Sequence, residues 1–104
     1  SLDNLAELYR VQRRYTEAEP LYLQALALRQ RLLSDEHPDV ATSLNNLAFL
    51  YQSQGRYSEA ELLYLQALAI AEHTLGTDHP NTKTIRENLE DLRSQMHNQS
   101  EDDQ

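Results

Sequence analysis

Apolar side chains recur three and four residues apart along most of the chain, as in Leu2, Leu5, Ala6 and Tyr9, and again in Leu21, Tyr22, Ala25, Leu26, Leu28 and Leu32. That spacing lines one face of a helix and does not fit the two-residue alternation of a strand. The punctuation falls between these runs. Gln12-Arg13-Arg14-Tyr15 and Gln54-Gly55-Arg56-Tyr57 interrupt the pattern, and Pro38 and Pro80 stand where a first helical turn tolerates a missing N–H. Five helices are predicted, over residues 2–13, 16–33, 38–54, 58–75 and 80–97. Thr16 with Glu19, and Ser58 with Glu61, have the spacing of capping boxes that would start the second and fourth. Pro20, near the fourth position of its helix, is at the edge of tolerance.

The pattern is written twice. Residues 1–42 and 43–84 align without a gap and share 24 of 42 positions, and a third copy begins at Ile85 and stops after one helix. A chain of this kind is a stack in which each unit packs on its neighbours. The expected fold class is all-α, an α-solenoid of antiparallel helix pairs with two units (1–42 and 43–84) and a capping helix. That helix starts near residue 80, inside the second unit, and continues over 85–97. Residues 98–104, without an apolar anchor, are expected to form a disordered polar tail.

Small residues mark where helices meet closely: Ala6 and Ala48 in the first helix of each unit, and Ala18, Ala25, Ala60 and Ala67 in the second. Tyr9, Tyr22, Tyr51 and Tyr64 fill the space beside them as packing residues. The third copy has Glu90 at the alanine position and Arg93 at the tyrosine position, which suits a helix with no second helix of its own to cover it. Ile85, Leu89, Leu92 and Met96 keep a single apolar stripe. The other end has no polar cap, because Leu2, Leu5 and Leu8 begin at full strength. The pattern therefore predicts that residue 1 is a cut in a longer repeat protein. Gly55 is suited to a left-handed turn, and Arg13 at the same point would carry about 1 kcal/mol of strain.

Composition narrows the function classes. Net charge is −8, half of it in the last 20 residues, and there is a single lysine. Without a basic stripe, nucleic acid and anionic membranes are poor partners. No apolar run approaches the roughly 20 residues of a membrane span. The absence of cysteine suits a reducing compartment, so cytoplasm is the default location. His37 and His79 lie one repeat apart beside acidic residues. They suit a role at the start of a helix, before proline, better than metal ligation. Ser34, Asp35 and His37 lack the geometry of a catalytic triad, no glycine-rich phosphate loop exists, and His73 and His97 stand alone. No catalytic, metal or cofactor site is expected.

At Leu2, Leu5, Ala6, Tyr9, Ala18, Tyr22 and Ala25, and at Leu44, Leu47, Ala48, Tyr51, Ala60, Tyr64 and Ala67, the chain resembles tetratricopeptide repeats. Its 42-residue period and the linker before each His-Pro resemble the repeats of kinesin light chains and their bacterial relatives. The resemblance implies a non-enzymatic scaffold that binds a peptide or partner protein in a groove lined by the first helices. The residues expected there are Asp3, Asn4, Glu7, Arg10, Asn45, Asn46, Phe49, Gln52, Glu87, Asn88 and Asp91. Asn4, Asn46 and Asn88, spaced 42 apart, resemble the asparagine ladder with which superhelical members hold an extended main chain; the other reading is that they only fix the repeat geometry. Phe49 would be either a partner anchor or a packing residue, and the carboxylates favour a basic ligand. A purely architectural segment, self-associating through the uncapped first helix, is the alternative function.

Overall fold

The computed structural model describes residues 1–102, with side chains to Asn98. Five helices follow in order: α1 (Leu2–Val11), α2 (Tyr15–Leu32), α3 (Pro38–Ser53), α4 (Tyr57–Thr74) and α5 (Pro80–Asp102). Each packs on the next, α1 touches α3, and α3 touches α5. The first helices therefore form one row and the second helices another, in a slab of 46 × 32 × 18 Å. None of the described helices is long and apolar enough to cross a membrane.

Alanine sets the helix spacing. Ala6, Ala18, Ala48, Ala60 and Ala67 are fully buried, and Ala25 nearly so, in a tightly packed interior. Leu47, Leu50, Leu89 and Leu92 join Ala18, Tyr22, Ala60 and Tyr64 in one core, while Val40, Leu44, Ala67, Ala71 and Ile85 form a second at the other end of the helices. Thr82 occupies in α5 the place of Val40 in α3. Both are fully buried, and the Thr82 hydroxyl has no hydrogen-bond partner among the described residues. Thr82→Val should therefore raise stability by about 1–2 kcal/mol, since it removes a desolvated hydroxyl without changing shape. A urea melt would show this as a higher midpoint at unchanged slope.

The turns inside each unit follow the left-handed expectation. Arg13 has φ 62° and Gly55 φ 80°. Arg14 N–H donates to Tyr9 C=O at 2.8 Å and Arg56 N–H to Tyr51 C=O at 2.9 Å, closing the same Schellman turn in both copies. Only the second copy has the residue that accepts this conformation without strain.

Three expectations need correction. The capping boxes do not form: α2 and α4 begin one residue earlier, with Arg14 and Arg56 at the caps and no side-chain cap bond. Glu19 and Glu61 reach instead to the following unit. Glu19 accepts the Tyr51 hydroxyl at 3.0 Å and Arg56 at 3.2 Å, and Glu61 accepts Arg93 at 2.9 Å. Tyr51 and Arg93 thus bind the preceding second helix, so Arg93 keeps the contact its position makes elsewhere. Pro20, with α2 beginning at Tyr15, lies past the first turn. α5 also runs beyond residue 97, because no proline or glycine stops the backbone there. The described part of the expected tail, 98–102, is helical, and residues 103 and 104 lie outside the described residues.

Candidate functional site

The row of first helices presents a concave polar face. On α1 the residues Asp3, Asn4, Glu7 and Arg10 fall three and four apart and share one side, and Asn45, Asn46 and Phe49 do the same on α3. Where α1 and α3 lie side by side these seven, with Tyr22 of α2, line a cavity of about 340 Å³. Seven of the eleven expected groove residues are therefore brought together. Tyr22 escapes a sequence reading because its ring packs like any core tyrosine. The available signal was that Arg10 and Gln52 recur as polar neighbours of Tyr22 and Tyr64.

The other four lie elsewhere. Gln52 accepts the Tyr64 hydroxyl at 2.8 Å and donates to Gln95 of α5. Asn88 donates to Asn45 Oδ1 at 3.1 Å, a bond between adjacent first helices. Glu87 and Asp91 are exposed on α5. The asparagine ladder is thus divided. Asn88 is spent on holding α5 to α3, whereas the side-chain amides of Asn4 and Asn46 make no hydrogen bond among the described residues. One unit before the Asn88 and Asn45 pair, the corresponding residues are Asn46 and Asp3. There Asp3 Oδ1 is buried without a hydrogen-bond partner among the described residues, and the other carboxylate oxygen pairs with Arg29 at 2.8 Å.

The electrostatics differ from a simple count of acids. Arg29 balances Asp3 and also donates to Ser43 Oγ at 2.6 Å, tying α1, α2 and α3 together. Glu7 lies 3.8 Å from Arg10, and the Arg10 guanidinium stacks 4.6 Å from the centre of the Phe49 ring. The Phe49 ring, 38% exposed, thus meets α1 at the groove wall. Burial pushes the Tyr22 phenol up, and the neighbouring Arg10 holds it partly back. Tyr64 is pushed up by burial and by Asp91, again opposed by Arg10. Among the residues that line the cavity Arg10 is the one cation, and Glu87 and Asp91 stand exposed on α5 outside it.

His37 Nδ1 accepts the Asp39 N–H at 3.0 Å and His79 Nδ1 accepts the Asn81 N–H at 3.1 Å, so both histidines cap the helices that begin at their prolines. No group of three or more His, Asp or Glu side chains among the described residues could hold a metal ion. What the arrangement offers is surface: two side-chain amides without a hydrogen bond among the described residues, an aromatic ring and a cation, all carried on helices.

The family model for the tetratricopeptide repeat matches residues 1–73. No curated protein matches the chain. Among solved structures, the nearly identical TPR-like repeats assigned to a kinesin light chain of Podosopora anserina are 31% identical, with a TM-score of 0.84 over 94% of this chain and 46% of that one. A single-substitution variant of the same protein matches at 30% identity with the same coverage and TM-score. The chain spans about half the length of these solved structures.

Proposed function

The chain belongs to the tetratricopeptide repeat family, of the kinesin-light-chain-like type, and from that premise we propose that it is a non-enzymatic scaffold module holding an extended segment of a partner protein in the groove along α1, α3 and α5. Repeats of this family generally mediate protein–protein interaction. The observation that carries the groove reading is the cavity between α1 and α3, where the amides of Asn4 and Asn46 are unspent beside the exposed ring of Phe49. An asparagine amide donates and accepts, so it can pair with a peptide unit whatever the side chain there. Phe49 and the stem of Arg10 supply an apolar wall for one partner side chain. A basic partner residue is favoured toward α5, where Glu87 and Asp91 are exposed. The ligand is protein, because one lysine and scattered arginines make no phosphate-tracking stripe. The proposal places the module in the cytoplasm, in keeping with a chain free of cysteine.

The test is a screen of an extended-peptide library, followed by affinities for the selected peptides. Each main-chain bond contributes about 0.5–1.5 kcal/mol, so replacing Asn4 and Asn46 together by Ala should weaken binding roughly 10-fold or more at unchanged helicity. Asn88→Ala serves as the contrast, since its bond is internal and its loss should register in the melt. A library without binders, or binders indifferent to Asn4 and Asn46, would refute the groove.

A further inference from the structure

Asn88 is spent on Asn45, so the ladder that Asn4 and Asn46 begin has lost the rung that the 42-residue spacing assigns to α5. Further along the same two helices, Gln52 donates to Gln95. From Asn88 onward the junction of α3 and α5 is thus bridged, whereas before Asn88 it opens. There Thr42 and Asn45 of α3, with Asn81, Thr84 and Ile85 of α5, line a cavity of about 200 Å³. Asn45 also lines the larger cavity between α1 and α3, so one side chain forms a wall of both.

The chemistry of the second cavity matches a peptide unit. Asn81 lies seven residues before Asn88, two turns back on the same face of α5. Its backbone N–H is held by His79 Nδ1 at 3.1 Å, so the start of the helix does not need its side chain, and that amide makes no hydrogen bond among the described residues. Asn45 accepts from Asn88 through Oδ1, which leaves its NH2 group to donate. The Thr84 hydroxyl donates to Pro80 C=O at 3.0 Å and the Thr42 hydroxyl to Pro38 C=O at 3.4 Å, so each oxygen remains as an acceptor. Amide donors and hydroxyl acceptors thus line one opening, and no charged side chain joins them. The first copy differs at this point. α3 has Asp39 where α5 has Asn81, and its carboxylate lies 3.9 Å from His37.

We propose that Asn81 is the third rung of the ladder: the partner segment held by Asn4 and Asn46 turns at Asn45 toward the start of α5, with its main chain on Asn81 and Thr84 and an uncharged side chain over Ile85. Seven helical residues rise about 10 Å, the length of about three extended residues, so the segment crosses the row of first helices obliquely. It is uncharged over this stretch because no lining side chain offers a countercharge. The proposal rests on the groove reading above and specifies the partner's path through it.

The test uses the full chain and a peptide selected from the library. Asn81→Ala should weaken binding roughly 3- to 10-fold, the effect of one lost main-chain bond. Its melting temperature should stay within about 3 °C of the native value, because the site is exposed and His79 still caps the helix. The peptide shortened by three residues, from each end in turn, should in one of the two forms lose the same factor and then bind the native chain and Asn81→Ala equally. If replacing Asn4 and Asn46 weakens binding while Asn81→Ala does not, the groove stands and this rung falls. A larger loss for Asn88→Ala than for Asn81→Ala, at unchanged melting temperature, would also overturn the proposal, since Asn88 would then be the rung. Indifference to all of these substitutions, or a library without binders, would refute the groove itself and this proposal with it.

Discussion

Ala67→Glu is expected to abolish the fold. Ala67 is fully buried in α4 and belongs to the core that contains Val40, Leu44, Ala71 and Ile85. None of these offers a hydrogen bond or a countercharge, so the carboxylate would have to be buried unpaired or the helices driven apart. Overpacking and desolvation together cost at least about 4 kcal/mol, most of what a domain of this size has to lose. Ala60→Glu, fully buried in the other core, should behave alike. Circular dichroism would show helicity lost at 25 °C. A cooperative melt with native helicity would mean that the backbones do not approach as closely as the alanines imply.

Leu50→Ala should be one of the two costliest leucine truncations, with Leu92, at about 2–5 kcal/mol. Its side chain is fully buried in the core shared by the two units, so truncation removes packing on every side. The contrast with Leu8→Ala makes the test specific. Leu8 holds the same repeat position, but half of it faces solvent, so its truncation should cost about 1 kcal/mol or less. Helix propensity and local sequence are nearly matched at the two sites, so the difference between the melts isolates the burial that the neighbouring unit supplies. Equal costs would show that α1 is covered in solution.

The architecture was legible because periodicity and repetition point to the same answer. Apolar spacing gave the helices, Pro38, Pro80 and the Gly55 turn gave the breaks, and the gapless repeat fixed which helices are equivalent. The boundaries of α1 to α4 fall within two residues of the pattern. What the sequence hid were contacts between units. Glu19 and Glu61 fit a local capping pattern, yet their carboxylates are spent on Tyr51, Arg56 and Arg93, a choice set by stacking. Asp3 counts as an exposed acid in a sequence, but Arg29, 26 positions away, neutralises it. Asn4, Asn46 and Asn88 are indistinguishable as letters. The third is consumed because Asn45 stands opposite it, whereas the Asn46 amide, opposite Asp3, makes no hydrogen bond among the described residues.

That split is also the sharpest handle on function, since the free and the spent asparagines predict different behaviour within one repeated motif. The most direct measurement is a backbone amide spectrum of the isotopically labelled chain, titrated with a peptide selected from the library. Shift changes should concentrate on Asn4, Glu7, Arg10, Asn46 and Phe49, with the α5 residues Glu87 and Asp91 following when the peptide carries a basic residue. Changes centred on the outer face of the second helices, at Leu23 and Leu65, would place the partner on the opposite side of the slab and contradict the groove.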